Sequence, residues 1–236
     1  MTTAKFSMNA LAGLLMALAG HASAATYTNV PGGASTGLPF VSFGNSGNPS
    51  SDSPKVGEVF SLSSAEVLSS FSFYAIGNQS FSVQLNVAQW NPDTNAKNQA
   101  VNSVGPALLT TAGASSEVFN AAGGFTTLSF SNLGLSLQAN TKYIAYLTSS
   151  DASVTGIQLS RTQSANDATG FGLGHAYLST IPGSGWQLPF NGNGFLGLQY
   201  TAVTTAAVPE PESLALVLAG LGVVGATVAR RRATQA

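Results

Sequence analysis

Cysteine is absent from this chain. No disulfide can brace it and no thiolate can hold a zinc ion, so stability must come from an apolar core and from backbone hydrogen bonds. Charge is nearly as scarce. Asp, Glu, Lys and Arg make up 7% of 236 residues, against about a quarter in an average soluble domain. Between residues 25 and 207 only Lys55, Lys97, Lys142 and Arg161 oppose Asp52, Glu58, Glu66, Asp93, Glu117, Asp151 and Asp167. With no basic patch to neutralise phosphates, nucleic acid is not an expected partner. Histidine is confined to His21 and His175. Between residues 25 and 207 no stretch sustains the apolar period of a helix.

What fills the chain instead is Ser, Thr, Asn and Gly, interleaved with short alternating apolar runs. Residues 25–55 read as an irregular lead-in with one edge strand over 39–43. Residues 56–205 read as the body, with strands over 59–62, 67–76, 81–90, 106–111, 125–130, 142–148, 154–160, 174–180 and 194–203. In 67–76 a period of two places Val67, Phe71, Phe73 and Ala75 on one face, and Ser70, Ser72 and Tyr74 on the other. In 81–90, Phe81, Val83, Leu85 and Val87 alternate with Ser82, Gln84, Asn86 and Ala88, the pattern of a sheet buried on one side. Many short strands separated by turn residues predict an all-β fold, an antiparallel β-sandwich of jelly-roll-like order.

Residues fit for catalysis are few. A serine nucleophile needs a base, and His175, entering a strand in Gly174-His175-Ala176-Tyr177, reads as an ordinary structural or surface histidine. Glycosidase chemistry needs two carboxylates astride a bond, and Asp93, Asp151 and Asp167 read better as turn formers. The glycines of 170–174 have no following lysine and no strand-to-helix context for a phosphate loop. Asn91, Asp93 and Asn95 alternate like the first ligands of a calcium loop. Ala96 then replaces the turn glycine and Asn102 the bidentate glutamate, so a hairpin loop is the better reading. Calcium held by dispersed carbonyls stays open; no other cofactor or metal is expected. Trp186 and Tyr177 sit beside turn-rich segments. An exposed ring rimmed by amides and hydroxyls would suit a sugar, although tryptophan is usually core material.

The two ends carry addresses. Lys5, an apolar run over 11–19 and the small-residue site Ala22-Ser23-Ala24 form the three regions of a signal peptide over 1–24, cut by signal peptidase after Ala24 or one residue later. At the other end Pro209, Glu210 and Pro211 precede an uncharged run over 213–229 and then Arg230, Arg231 and Arg232. The prolines keep the tripeptide extended. As a helix the run spans roughly 25 Å, near the lower limit for a single transmembrane crossing. The arginines would hold its end on the cytoplasmic side as a stop-transfer signal.

These three parts, in order over 208–236, resemble the PEP-CTERM sorting domain of Gram-negative bacteria that make extracellular polysaccharide. The resemblance implies an inner-membrane intermediate and an integral-membrane enzyme, exosortase, that recognises Pro209, Glu210 and Pro211. Segments 68–90 and 125–147 also resemble β-sandwich bodies found upstream of such tails. The expectation is a non-enzymatic protein of the cell surface or extracellular matrix, associated with exopolysaccharide and biofilm. The alternative is a carbohydrate-binding module using Trp186.

Overall fold

The computed structural model describes residues 23–30, 38–45, 52–76, 80–91, 104–111, 116–118, 125–151, 153–162, 169–178, 185–187, 197–207 and 219–222. Ser23–Ala206 form one compact unit, and the termini outside it another. Within the first unit the strands are β1 (Ala24–Thr28), β2 (Leu38–Phe43), β3 (Val56–Ser61), β4 (Glu66–Ile76), β5 (Ser80–Ser82), β6 (Gln84–Trp90), β7 (Val104–Thr110), β8 (Ser116–Val118), β9 (Thr126–Leu137), β10 (Lys142–Thr148), β11 (Ile157–Arg161), β12 (Gly172–Leu178), β13 (Trp186–Gln187) and β14 (Tyr200–Ala206). Strands stand at the expected places, with β2 at a sheet edge as anticipated, but the expected 81–90 strand is broken at Val83, its first piece β5 pairing with β8 in a separate two-stranded sheet, and β9 runs on past 130 to Leu137. β1, β8 and β13 were not expected, and the lead-in holds two strands.

Two six-stranded antiparallel sheets are consistent with a β-sandwich. One runs β13-β12-β3-β10-β6-β7; the other runs β1-β14-β4-β11-β2, with β9 also on β4. β9 pairs Glu66 to Ala75, β14 pairs Glu66 to Phe73, and β11 pairs Ala75 and Ile76. A strand has two flanks, so β14 and β11 lie end to end along the flank opposite β9. Between the sheets Phe60 meets Phe71 at 5.9 Å and Phe171 at 4.7 Å, while Tyr200 lies 5.8 Å from Phe71. Phe60, Phe71, Phe171 and Tyr200 are all fully buried. Each such side chain contributes roughly 1.5–3 kcal/mol of transfer free energy, which is how a chain without disulfides holds together.

Strict alternation fails at two places. Ser70 of β4 pairs with Ser131 and Val203, and Leu68 with Leu135 and Thr204, so β14 skips Ser69, while β9 leaves Asn132, Leu133 and Gly134 unpaired opposite it. This bulge reverses the alternation below it. Leu68 enters the core and Val67 is only half-buried, contrary to the expected Val67 face. In the 81–90 run Val83, Leu85 and Val87 face the inter-sheet core as expected. Asn86, Ala88 and Trp90 are buried as well. Sheet β13-β12-β3-β10-β6-β7 is therefore covered on both sides, not one. Its outward residues Val59, Ala88, Ile144 and Ala176 pack with Trp90, Tyr146 and Trp186 in a second apolar cluster. Gly57 makes room for this layer, since a Cβ there would lie 2.6 Å from the Tyr146 Cβ.

Residues 219–222 are helical. The rest of the transmembrane run expected over 213–229 lies outside the described residues, among which no helix is long and apolar enough to cross a membrane.

Candidate functional site

Trp186 reaches its position through the short pairing of β13 with β12, in which Trp186 lies opposite Leu178 and Gln187 opposite Tyr177. The indole is 7% exposed. It meets the Tyr146 ring edge-on at 5.2 Å and the Trp90 ring edge-on at 6.2 Å. The exposure that the alternative sugar-platform reading needs at Trp186 is corrected here: the outward face of the sheet is apolar, and Trp186 helps to cover it. Burial also raises the Tyr146 phenol above its ordinary value. Tyr177 is half-buried, packs against the inter-sheet core and donates to Gln187 Oε1 at 3.0 Å. Adjacent strand positions face opposite ways, so Trp186 and Tyr177 are not brought together.

His175 is buried, 2% exposed, and lies opposite Glu58 of β3. Glu58, at 1% exposure, was missed as a key residue. Its Oε1 accepts the Gly174 amide at 2.9 Å and its Oε2 the Leu198 amide at 2.8 Å. A Cβ at position 197 would stand 2.9 Å from Oε1, so Gly197 lets the backbone come this close. The carboxylate thus ties two chain segments to β3. A signal was available, because Glu58 shares its strand face with Val56 and Phe60, both core residues.

Of the three aspartates weighed for catalysis, Asp151 behaves as a turn former. Its Oδ1 accepts the Ser153 hydroxyl at 2.7 Å and amide at 2.8 Å, and these bonds, the hydroxyl first, hold its carboxyl below the usual range. Asp93 and Asp167 lie outside the described residues, as does residues 92–102 of the calcium-like loop. Among the described residues no three His, Cys, Asp or Glu side chains gather as a metal would need. A cleft of about 340 Å³ opens beside Tyr27, Ser61, Ser63, Asn140, Thr169 and Phe171.

The ends of the body meet. Ala24 pairs with Thr205 and Ala25 with Thr204, and the Ser23 carbonyl accepts the Ala206 amide at 3.2 Å. β1 is anchored through Tyr27, which stacks on Phe171 at 4.6 Å and donates to Glu66 Oε1 at 3.1 Å. Burial first, then the Glu66 carboxylate, pushes the Tyr27 phenol up. Glu66 also accepts from Thr204 Oγ1 and, at 2.8 Å, from Ser64 Oγ. Ala22, Pro209, Glu210, Pro211 and Arg230 to Arg232 lie outside the described residues. The last body strand, β14, ends at Ala206, immediately before the tail.

Residues 207–232 match the family model of the PEP-CTERM protein-sorting motif. The tail is a PEP-CTERM sorting motif. It marks an exported protein of Gram-negative type that exosortase processes. No curated protein and no solved structure matches the chain.

Proposed function

We propose that the chain is a non-enzymatic structural protein of the cell surface or extracellular matrix. Signal peptidase removes residues 1–24, residues 213–229 hold the intermediate in the inner membrane as a single transmembrane helix, and exosortase releases or transfers the body near Pro209-Glu210-Pro211. The body then lies in or beside the exopolysaccharide of a biofilm. The match of residues 207–232 to the sorting motif carries the export and sorting steps of this reading. In its favour, Glu58 and Trp186 are committed to the fold, and one outward sheet face bears mostly hydroxyls. The test is the intact mass and location of the protein in cells with and without the sorting enzyme. The expected product begins near Ala25, ends near Pro209 to Pro211, and leaves the cell only when the enzyme is present. An exported protein that keeps Arg230 to Arg232 would overturn the sorting step.

The second reading, carbohydrate binding, has support away from Trp186. The 340 Å³ cleft is lined by uncharged residues that include Ser61, Ser63, Asn140 and the Tyr27 ring. A neutral sugar would find hydroxyl and amide partners there with no ion to desolvate. Filling it with Ser63→Trp in a folded protein should abolish retention on the polysaccharide under this reading, and leave it unchanged if the body is purely structural.

A further inference from the structure

We propose that folding of the body closes the signal-peptidase site, so that the leader must be removed before β14 docks on β1. The inference rests on reading residues 1–24 as a signal peptide. Removal hydrolyses the Ala24–Ala25 peptide bond: water is added, Ala24 leaves with a new carboxylate and Ala25 keeps a new ammonium group. A peptidase that grips its substrate as an extended strand needs the substrate's own backbone donors and acceptors. In the folded body those groups are already engaged. Ala24 and Ala25 lie in the ladder opposite Thr205 and Thr204, and the Ser23 carbonyl holds the Ala206 amide at 3.2 Å. The side chains of Ser23 and Ala24 are exposed. Protection therefore comes from backbone pairing, not from burial.

The ladder is secured just beyond the scissile bond. Tyr27 is held by Phe171 and Glu66. Thr28 Oγ1 meets Thr201 Oγ1 at 2.9 Å. The Asn29 amide donates to the Leu198 carbonyl at 2.8 Å, and its Oδ1 accepts the Tyr200 amide at 2.9 Å. Freeing Ala24 and Ala25 means opening the end of a ladder whose next rungs are bolted to the core, which lowers the population open to attack. Among the described residues β1 pairs with β14 alone. β14 is also the last strand, ending directly before the sorting motif. The first strand thus waits for the last one, and the leader stays accessible until then. The fold in this way imposes an order: leader removal, then closure of β1 on β14.

The experiment uses the full chain purified with its leader intact, offered to purified signal peptidase either folded or held unfolded in urea the enzyme tolerates, with N-terminal sequencing of the product. The unfolded chain should be cut to begin at Ala25, and the folded chain at least tenfold more slowly. A six-residue Ser/Gly spacer between Ala24 and Ala25, preceded by the same Ala22-Ser23-Ala24 site, moves the scissile bond off the ladder. It should bring the folded rate to within about threefold of the unfolded one. Equal cutting of the folded and unfolded native chains overturns the proposal, as does a spacer variant that stays resistant when folded. Failure to cut even the unfolded chain near Ala25 overturns the signal-peptide reading beneath it.

Discussion

The outward face of sheet β13-β12-β3-β10-β6-β7 carries Val59, Ala88, Ile144 and Ala176 beneath Trp90, Tyr146 and Trp186. The outward face of the other sheet carries the row Thr28, Thr201, Ser72 and Ser129 across four strands, and beside it Thr26, Val203, Ser70 and Ser131. The inner faces of both sheets build one core, so the difference lies outside it. An apolar outer face has to be covered by the protein's own rings, and that cover becomes part of the stability of the fold. A hydroxyl face is satisfied by its neighbours and by water, and needs no such cover. Large side chains near turns are therefore structural on the first sheet, and the second sheet is the one the protein can show to its surroundings.

The largest effect that tests this contrast is Trp186→Ala. Removing a buried indole leaves Tyr146 and Trp90 without their edge-on partner, and we expect a loss of about 3 kcal/mol in urea or thermal unfolding. At a few degrees per kcal/mol, the midpoint should fall by roughly 10 °C. A loss under about 0.5 kcal/mol would place Trp186 among ordinary surface residues and reopen its use as a binding platform. Alkaline pH sharpens the same point. Tyr146 has its folded value raised by burial, so its contribution is complete below the ordinary tyrosine value of 10.0 and is lost as pH climbs through the raised folded value. Because Trp186→Ala exposes Tyr146, the variant should show a smaller tyrosine shift in a spectrophotometric titration. Tyr27 is raised in the same direction and sits away from Trp186, against Phe171 and Glu66, so its titration should not change.

How far the sequence could be read follows from what each feature depends on. The strands β4, β6 and β10 were legible because a period of two is a local property of a few residues, whereas β9 was read only over 125–130 and continues to Leu137. The bulge at Ser69 was not, since it is defined by its partners, β14 passing it over and β9 leaving residues 132–134 unpaired beside it. β1 is five residues long and owes its existence to β14 at the far end of the chain. Its first residue, Ala24, also reads as the end of the expected cleavage site Ala22-Ser23-Ala24, which drew attention away from a strand there. Trp186 had turn-forming neighbours on both sides, which suggested exposure; whether a ring near a loop is covered depends on the sheet face it lands on. The sorting motif was fully legible, because an enzyme reads it as sequence. Glu58 was missed because the expected strand began at 59, whereas β3 begins at Val56 and sets Glu58 between the core residues Val56 and Phe60.

The smallest expected effect tests the other half of the comparison. Ser72 Oγ donates to Ser129 Oγ at 3.1 Å in an exposed setting. Water offers each hydroxyl an equivalent partner, so Ser72→Ala should change stability by no more than about 0.5 kcal/mol. Ser129→Thr, which keeps the hydroxyl and adds a β-branch suited to a pleated surface, should be neutral or gain a few tenths. A cost above about 1 kcal/mol for Ser72→Ala would mean that the row is cooperative, with Thr28, Thr201, Ser72 and Ser129 bracing four strands together. The hydroxyl face would then be structural cover in the same sense as the tryptophans, achieved by hydrogen bonds in place of rings. A near-zero result instead shows that the fold does not require the Ser72–Ser129 pair, and leaves that part of the face uncharged and open.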